Sequence, residues 1–246
     1  MESVNSSLGI TSWRLHRIPA DATGIFNATL TPSLTLHGGL SLITWLLART
    51  ANKVELKDYL WPTGMVINAW YTAVGRHSFG SPHSSTFDIL HQLSFQQKAL
   101  LGAVTIWGSR LAYRIITRGQ NRDDDARYKE VKQEPGFWNK AFFTLYLPEA
   151  VFQSLISLPF NLPFRTDELT GFWGAPQNSA GWVRWSAATL FFAGLAMEVL
   201  ADRQLQGHKE ESEAKGESKL CKSGVWSIVR HPNYFGDALC RMYSSH

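Results

Sequence analysis

Five apolar stretches, each close to the length of a membrane-crossing helix, constrain this chain more than any other feature. Crossing about 30 Å of hydrocarbon takes about 20 helical residues. The stretches run over 30–48, 59–75, 99–117, 137–164 and 181–201. The fourth is broken by Pro148, Pro159 and Pro163, and the fifth, with SAATLFFAGLAMEVLA, is the clearest. The mean hydropathy of -0.15 resembles that of a soluble protein. That mean blends polar connections with apolar stretches, and it counts as polar the 10 Trp and 7 Tyr, residues that favour membrane interfaces. The expected fold class is all-α: a polytopic membrane helical bundle of about five spans plus a C-terminal motif segment. Hydropathy alone leaves a soluble bundle of buried helices as the alternative.

Charge placement tests that expectation independently. With the N-terminus outside, the connections 49–58, 118–136 and 202–230 face the cytosol and carry fourteen basic residues, against four (Arg14, Arg17, Arg76, Arg165) on the other side. Two sequons, at Asn5 and Asn27, fall on that outer side. No apolar core of a signal peptide precedes residue 30, so targeting is expected to come from the later apolar segments. The chain divides into residues 1–94, with two spans, and residues 95–246, which hold the chemistry-bearing motifs. Between them and the C-terminal motif, Gly207–Lys219 (GHKEESEAKGESK) reads as a mobile polar loop. The net charge of +4 reflects the cytosolic bias and gives no support for nucleic-acid binding. Cys221 and Cys240 form neither a disulfide framework nor a zinc module. His77, His83 and His91 share one polar loop at spacings unsuited to a single helical face, and no metal site is expected.

Charges inside the apolar stretches are the first candidates for chemistry. Arg110, Arg114 and Arg118 recur at i, i+4 and i+8 in the third stretch, forming one helical stripe, and Glu198 and Asp202 share a face in the fifth. Such charges are costly in a bilayer and face a partner or a polar cavity. One reading is interhelical ion pairing. The other is that Arg110 and Arg114 bind an anionic cofactor while the carboxylates orient them, since a guanidinium binds phosphate bidentately. The C-terminal run Arg230-His231-Pro232-Asn233-Tyr234 places a cation, an imidazole, an amide and a phenol within five residues. Pro232 biases His231 toward an extended backbone. The run suits a polar pocket lining, and a turn between helices would use the same residues.

These residues carry a resemblance. Gly224, Trp226, Arg230, His231, Pro232, Asn233, Tyr234, Phe235, Gly236 and Asp237 resemble the signature of membrane reductases of the steroid 5-alpha-reductase type, in their broad microbial and fungal branch. Trp107, Arg110 and Leu111, followed by Arg118-Gly119 and by Asp125, Arg127 and Tyr128, resemble a second element of that branch. Glu198, Ala201, Asp202 and Gln204 resemble a third. The resemblance implies an integral membrane protein, expected in the endoplasmic reticulum, with NADPH held at the cytosolic helix ends. It implies reduction of a carbon–carbon double bond conjugated to a carbonyl in a lipid-like or sterol-like substrate, with no obligate protein partner. Arg110, Arg127, Arg230, His231, Asn233 and Tyr234 would contact the cofactor, together with Arg114, Trp226 and Asp237, and Glu198 and Asp202 would orient the arginines. The absence of Gly-x-Gly-x-x-Gly agrees with phosphates held by arginines rather than by a Rossmann turn. The scheme requires Arg110 and Arg230 to converge.

The chain departs from that family in three ways. It ends nine residues after Asp237, where members continue into further helices, and its tail ALCRMYSSH does not read as the start of one; a truncated chain is expected. Arg203 stands where many members carry another polar residue. No early motif aligns to supply a proton donor, and Tyr71 in the second stretch is the one candidate. The runner-up function is an S-adenosylmethionine-dependent methyltransferase of the isoprenylcysteine type, which shares an Arg-His-Pro-x-Tyr-x-Gly core. A catalytically inert membrane protein is the third reading.

Overall fold

The computed structural model describes residues 29–75, 85–119, 128–164, 180–216 and 220–242, and among these no strand occurs. Helices stand at all five apolar stretches: α1 (Thr31–Ala51), α2 (Leu56–Trp70, prolonged by a π turn at Tyr71–Gly75), then a short α3 (Thr86–Gln92) and α4 (Phe95–Gly119). The fourth stretch forms α5 (Phe137–Ala141), a π turn (Phe142–Tyr146), α6 (Leu147–Ile156) and α7 (Leu158–Asn161). α8 (Ala180–Lys215) and α9 (Pro232–Met242) complete the order. The fold is all-helical. Among the described residues only α8 is by itself long and apolar enough to cross a membrane, and the unit 137–164, bent by 48°, qualifies if counted as one span. Five separate spans are therefore more than the helices establish by length and composition.

Three local expectations are corrected. The polar run expected as a loop is helical through Lys215, because Gln206 donates to Glu210 at 2.7 Å and Lys215 bonds Glu211, pairs that stabilise an exposed helical face. The tail after Asp237 continues α9 through Met242; Pro232 opens that helix, where its missing N–H costs nothing. His91 lies not in a loop but on α3, which a reciprocal Ser85–Asp88 capping box starts.

Apolar side chains stand on the outside of the helices as well as in their core, and some polar ones are buried. Leu42, Ile43, Leu46 and Leu47 of α1 face outward, Leu47 with 58% of its surface free. So do Ile106 and Ile116 of α4, Phe152 of α6 and Phe192 of α8. The inward face of α1 instead carries fully buried Ser33, His37 and Ser41. An apolar core (Met65, Ala69, Leu101, Val104, Trp107, Phe160, Phe191) fills the space between α2, α4, α7 and α8. α2 separates that core from the polar face of α1.

The connections at one end of the bundle meet. Lys132 donates to the carbonyl of Asn52, Tyr146 to that of Val54 at 3.3 Å, and Arg49 to Asn139 at 3.0 Å. Tyr59, near the start of α2, lies against Gly119 at the end of α4. Lys57 sits among these groups, 3.0 Å from Asp58 and 3.7 Å from Glu149. Burial works against its charge, but the two carboxylates outweigh it and hold its pKa above the usual lysine value.

Asn68 of α2 ties three helices by donating to Ser33 at 2.6 Å and to Ser157 at 2.8 Å. Asn68→Ala is expected to cost about 1–2 kcal/mol, since both hydroxyls lose a buried partner. Thermal unfolding in detergent checks this; an unchanged midpoint would show that the two hydroxyls are satisfied without Asn68.

Candidate functional site

The three sequence motifs meet where α4, α8 and α9 join. Arg110 of α4 extends one amino group to Asp202 at 3.0 Å and the other to Glu198. One turn on, Arg114 donates to the backbone carbonyl of Asp202 at 3.2 Å, with its Nε 3.6 Å from the Asp202 carboxylate. The i, i+4 spacing on each helix sets two guanidinium groups against two carboxylates, so the cluster is formally neutral. Glu198 is its deepest member, with a side chain 3% exposed, against 20% for Arg110 and 15% for Asp202.

The remaining contacts lock the third motif onto the other two. Trp107 Nε1 donates to Asp237 of α9 at 3.0 Å. Trp226 Nε1 donates to the carbonyl of Ala201, and the N–H of Val225 to the Gln204 side chain, each at 3.0 Å. Gly224 adopts φ +62 there, and any side chain on it would strike Gln204. α9 runs antiparallel along α8 at backbone contact: a Cβ at Gly236 would lie 2.6 Å from the carbonyl oxygen of Gly194 and 2.8 Å from Glu198 Cγ. Cys240, one turn beyond Gly236, donates to the Phe191 carbonyl at 3.5 Å.

Seven expected or motif residues (Trp107, Arg110, Glu198, Asp202, Gln204, Trp226, Asp237) thus form one interlocked unit. Arg114 joins it. Arg230, His231 and Tyr234 do not: all three are exposed, and Arg230 has no partner among the described residues. His231 and Tyr234 are in ring contact with each other, centroids 5.5 Å apart. Arg110 is committed to two carboxylates, and Arg230 faces solvent. Arg127 lies outside the described residues, as do Asp125, His77, His83 and both sequon asparagines, whereas Tyr128 packs with Val54 and Phe137.

Tyr71 is half-buried over Gly75. Its neighbour Trp70 bonds Thr105 at 3.0 Å, which sets Tyr71 level with a point about 7.5 Å before Arg110 along α4. No hydrogen bond links it to the cluster.

Four buried polar atoms around the cluster lack a protein hydrogen bond: Nε of Arg110, Nε of Arg114, Oε1 of Glu198 and Oδ1 of Asn233. Two donate and two accept. Such groups are costly when unpaired, so the junction can take a polar ligand edge that both donates and accepts. Sequence reasoning missed Gly194, whose bare backbone lets α9 reach Glu198. Its place in the small-residue run Ala193-Gly194 of an apolar helix was the available signal.

No curated protein and no solved structure matches the chain. One family model does, over residues 44–243, a range that holds α4, α8, α9 and every residue of the interlocked unit. The chain belongs to DUF1295, a family described as proteins of unknown function.

Proposed function

We propose that this protein is a membrane-embedded reductase of the steroid 5-alpha-reductase type, which uses NADPH to reduce a carbon–carbon double bond conjugated to a carbonyl in a lipid-like substrate. The observation that carries the reading is the convergence of three motifs, separated by some 90 and 20 residues along the chain, on one buried cluster. Chance resemblance gives no reason for the matching residues to bond one another.

The bilayer reading rests on the apolar faces that the helices turn outward, Leu42, Leu46, Leu47, Ile106, Phe152 and Phe192 among them, while serine, asparagine and histidine of α1 and α2 are buried. A helix face of that kind is stable against lipid and costly against water. The excess of basic residues in the connections 49–58, 118–136 and 202–230 of the sequence agrees with a cytosolic side, and a membrane of the endoplasmic reticulum is the expected one.

NADPH, when bound, supplies the hydride for the β-carbon of the conjugated system. The residues present fit it in part. The two donors and two acceptors left over at the junction suit its amide and hydroxyl groups. The ion cluster nets to zero charge and does not attract phosphate, which leaves that role to exposed Arg230. Arg110 and Arg114 then act as positioning residues that hold α4 against α8, and Glu198 and Asp202 keep them there.

The test uses the full chain in detergent. NADPH is expected to raise the unfolding temperature, as any ligand of the native state must, and S-adenosylmethionine is not. Arg230→Ala touches no contact and should leave the ligand-free midpoint unchanged while weakening NADPH at least about tenfold, the scale of one charged hydrogen bond lost. A wild-type midpoint indifferent to NADPH sinks the proposal. The pairing of both Arg110 amino groups with carboxylates favours a second reading in that event: a non-catalytic protein whose motifs serve helix packing alone.

A further inference from the structure

α1 turns Leu42, Ile43, Leu46 and Leu47 outward, and its last two turns bond to α5 and the π turn beyond it. Trp45 packs on Phe142, ring centroids 5.3 Å apart, and donates from Nε1 to the carbonyl of Trp138 at 2.8 Å. One turn on, the Arg49 guanidinium stands 5.5 Å from the centre of the Trp45 ring and bonds Asn139. Asn52 closes the helix and accepts from Lys132. Exposed Phe143 extends the ring contacts outward. An aliphatic face that gives way to tryptophan and arginine, and then to lysine and amide, suits the boundary between hydrocarbon and water.

Beside this belt, a cavity of about 230 Å³ opens between the single helical turn at Val131–Gln133 and α5. Phe137, Ala141 and Leu145 line it with apolar surface, and Glu134 and Lys140 line it with charge. Gly136 brings the two charges to one cavity. At φ +76 it holds a left-handed conformation that glycine adopts freely, and the chain turns there from Glu134 into α5. The two charges do not pair. Neither the Glu134 carboxylate nor the Lys140 ammonium has a partner among the described residues, and both are exposed. Opposite charges that share a cavity without meeting can each take its complement from a single ligand.

We propose that this cavity binds the headgroup of a zwitterionic phospholipid, a phosphate joined to an ammonium. Lys140 takes the phosphate and Glu134 the ammonium, in a cavity that Tyr128 also lines, and aromatic surface favours a cation. Charge complementarity sets the class: an anionic headgroup would satisfy Lys140 and leave Glu134 opposed. The volume sets the extent. It falls below the about 300–1,000 Å³ of pockets that enclose a drug-sized molecule, so a headgroup fits while the acyl chains stay outside, along Phe143. The source is a membrane lipid rather than a free zwitterion, because the aromatic belt sets the cavity at headgroup level. The site rests on the bilayer reading and not on the reductase chemistry, and it uses no residue of the α4–α8–α9 junction.

The experiment follows lipid held by the full chain in detergent, by native mass spectrometry. Dihexanoyl phosphatidylethanolamine is compared with dihexanoyl phosphatidylglycerol, and free phosphoethanolamine is the third probe. Wild type is expected to hold the ethanolamine lipid about two- to fivefold more tightly than the glycerol lipid, the scale of one exposed ion pair. Glu134→Gln should abolish that preference, and Lys140→Gln should weaken both lipids by a similar factor. Both side chains are exposed and unbonded, so neither substitution should move the ligand-free unfolding midpoint; if one variant fails to fold, the wild-type comparison still decides. Equal affinity of wild type for the two lipids, or a preference that survives Glu134→Gln, overturns the site. Free phosphoethanolamine bound as tightly as the lipid overturns the lipid assignment. A response to NADPH without a headgroup preference sinks this site alone, and a preference without a response to NADPH sinks the reductase reading alone.

Discussion

Arg110→Met is expected to destabilise the protein by about 3–5 kcal/mol, the largest loss from any single side chain at the junction. The substitution keeps the aliphatic stem and removes the charge. Glu198, almost wholly enclosed, and Asp202 are then left with no guanidinium between them except that of Arg114, whose Nε stands 3.6 Å from Asp202. The energy is the penalty of an unpaired buried carboxylate rather than the net value of the pair, which makes a second result diagnostic. Adding Glu198→Gln and Asp202→Asn to Arg110→Met should return most of the lost stability, because no buried charge remains uncompensated. Thermal unfolding of the three proteins in one detergent reads both effects. Equal midpoints for wild type and Arg110→Met would show that the cluster does not hold α4 to α8.

Gly236→Val is expected to cost at least about 3 kcal/mol, the upper end for overpacking. Its Cβ would fall 2.6 Å from the Gly194 carbonyl and 3.0 Å from the Glu198 amide nitrogen, and backbone cannot swing aside as a side-chain tip can. α9 must lift off α8, taking Asp237 away from Trp107 and the Trp226 segment away from Ala201. A fall in the unfolding midpoint should therefore come with a red shift in tryptophan emission as both indoles lose their acceptors. Gly102→Ala is the control: nothing lies within 4 Å of its added methyl, and an alanine in mid-helix is neutral or mildly stabilising. Equal behaviour of the two variants would mean that α8 and α9 are not in backbone contact.

The positions of the main helices were legible because each apolar stretch is long and has marked ends. Pro32 stands near the start of α1 and Asn52 closes it in the left-handed conformation. The junction was legible through spacing: Arg110 with Arg114, and Glu198 with Asp202, each share a face one turn apart, and the motif order predicted their meeting. What spacing could not give was which of two uses the arginines serve. Ion pairing and phosphate binding ask for the same side chains, and only the distances show Arg110 taken up by carboxylates. A motif identifies residues and not their direction: Pro232 starts a helix immediately after Arg230, and Arg230 stands exposed rather than beside Arg110 in the ion cluster. The end of α8 was misjudged because a charged sequence such as KEESEAK has no apolar face to reveal a helix, although its i, i+4 pairs stabilise one. The inward polar stripes went unread for a related reason. Serine at i, i+4 carries little weight in hydropathy, and what marks it is enclosure on all sides by other helices.

α8 also has a mechanical consequence. At about 1.5 Å per residue its 36 residues extend some 54 Å, well beyond the ~30 Å of a hydrocarbon layer. On the bilayer reading its final turns project as a stiff mast into the surrounding water, and Asp202 is built into the same unbroken rod. A pull or a torque applied at the tip reaches the arginines along one continuous helix.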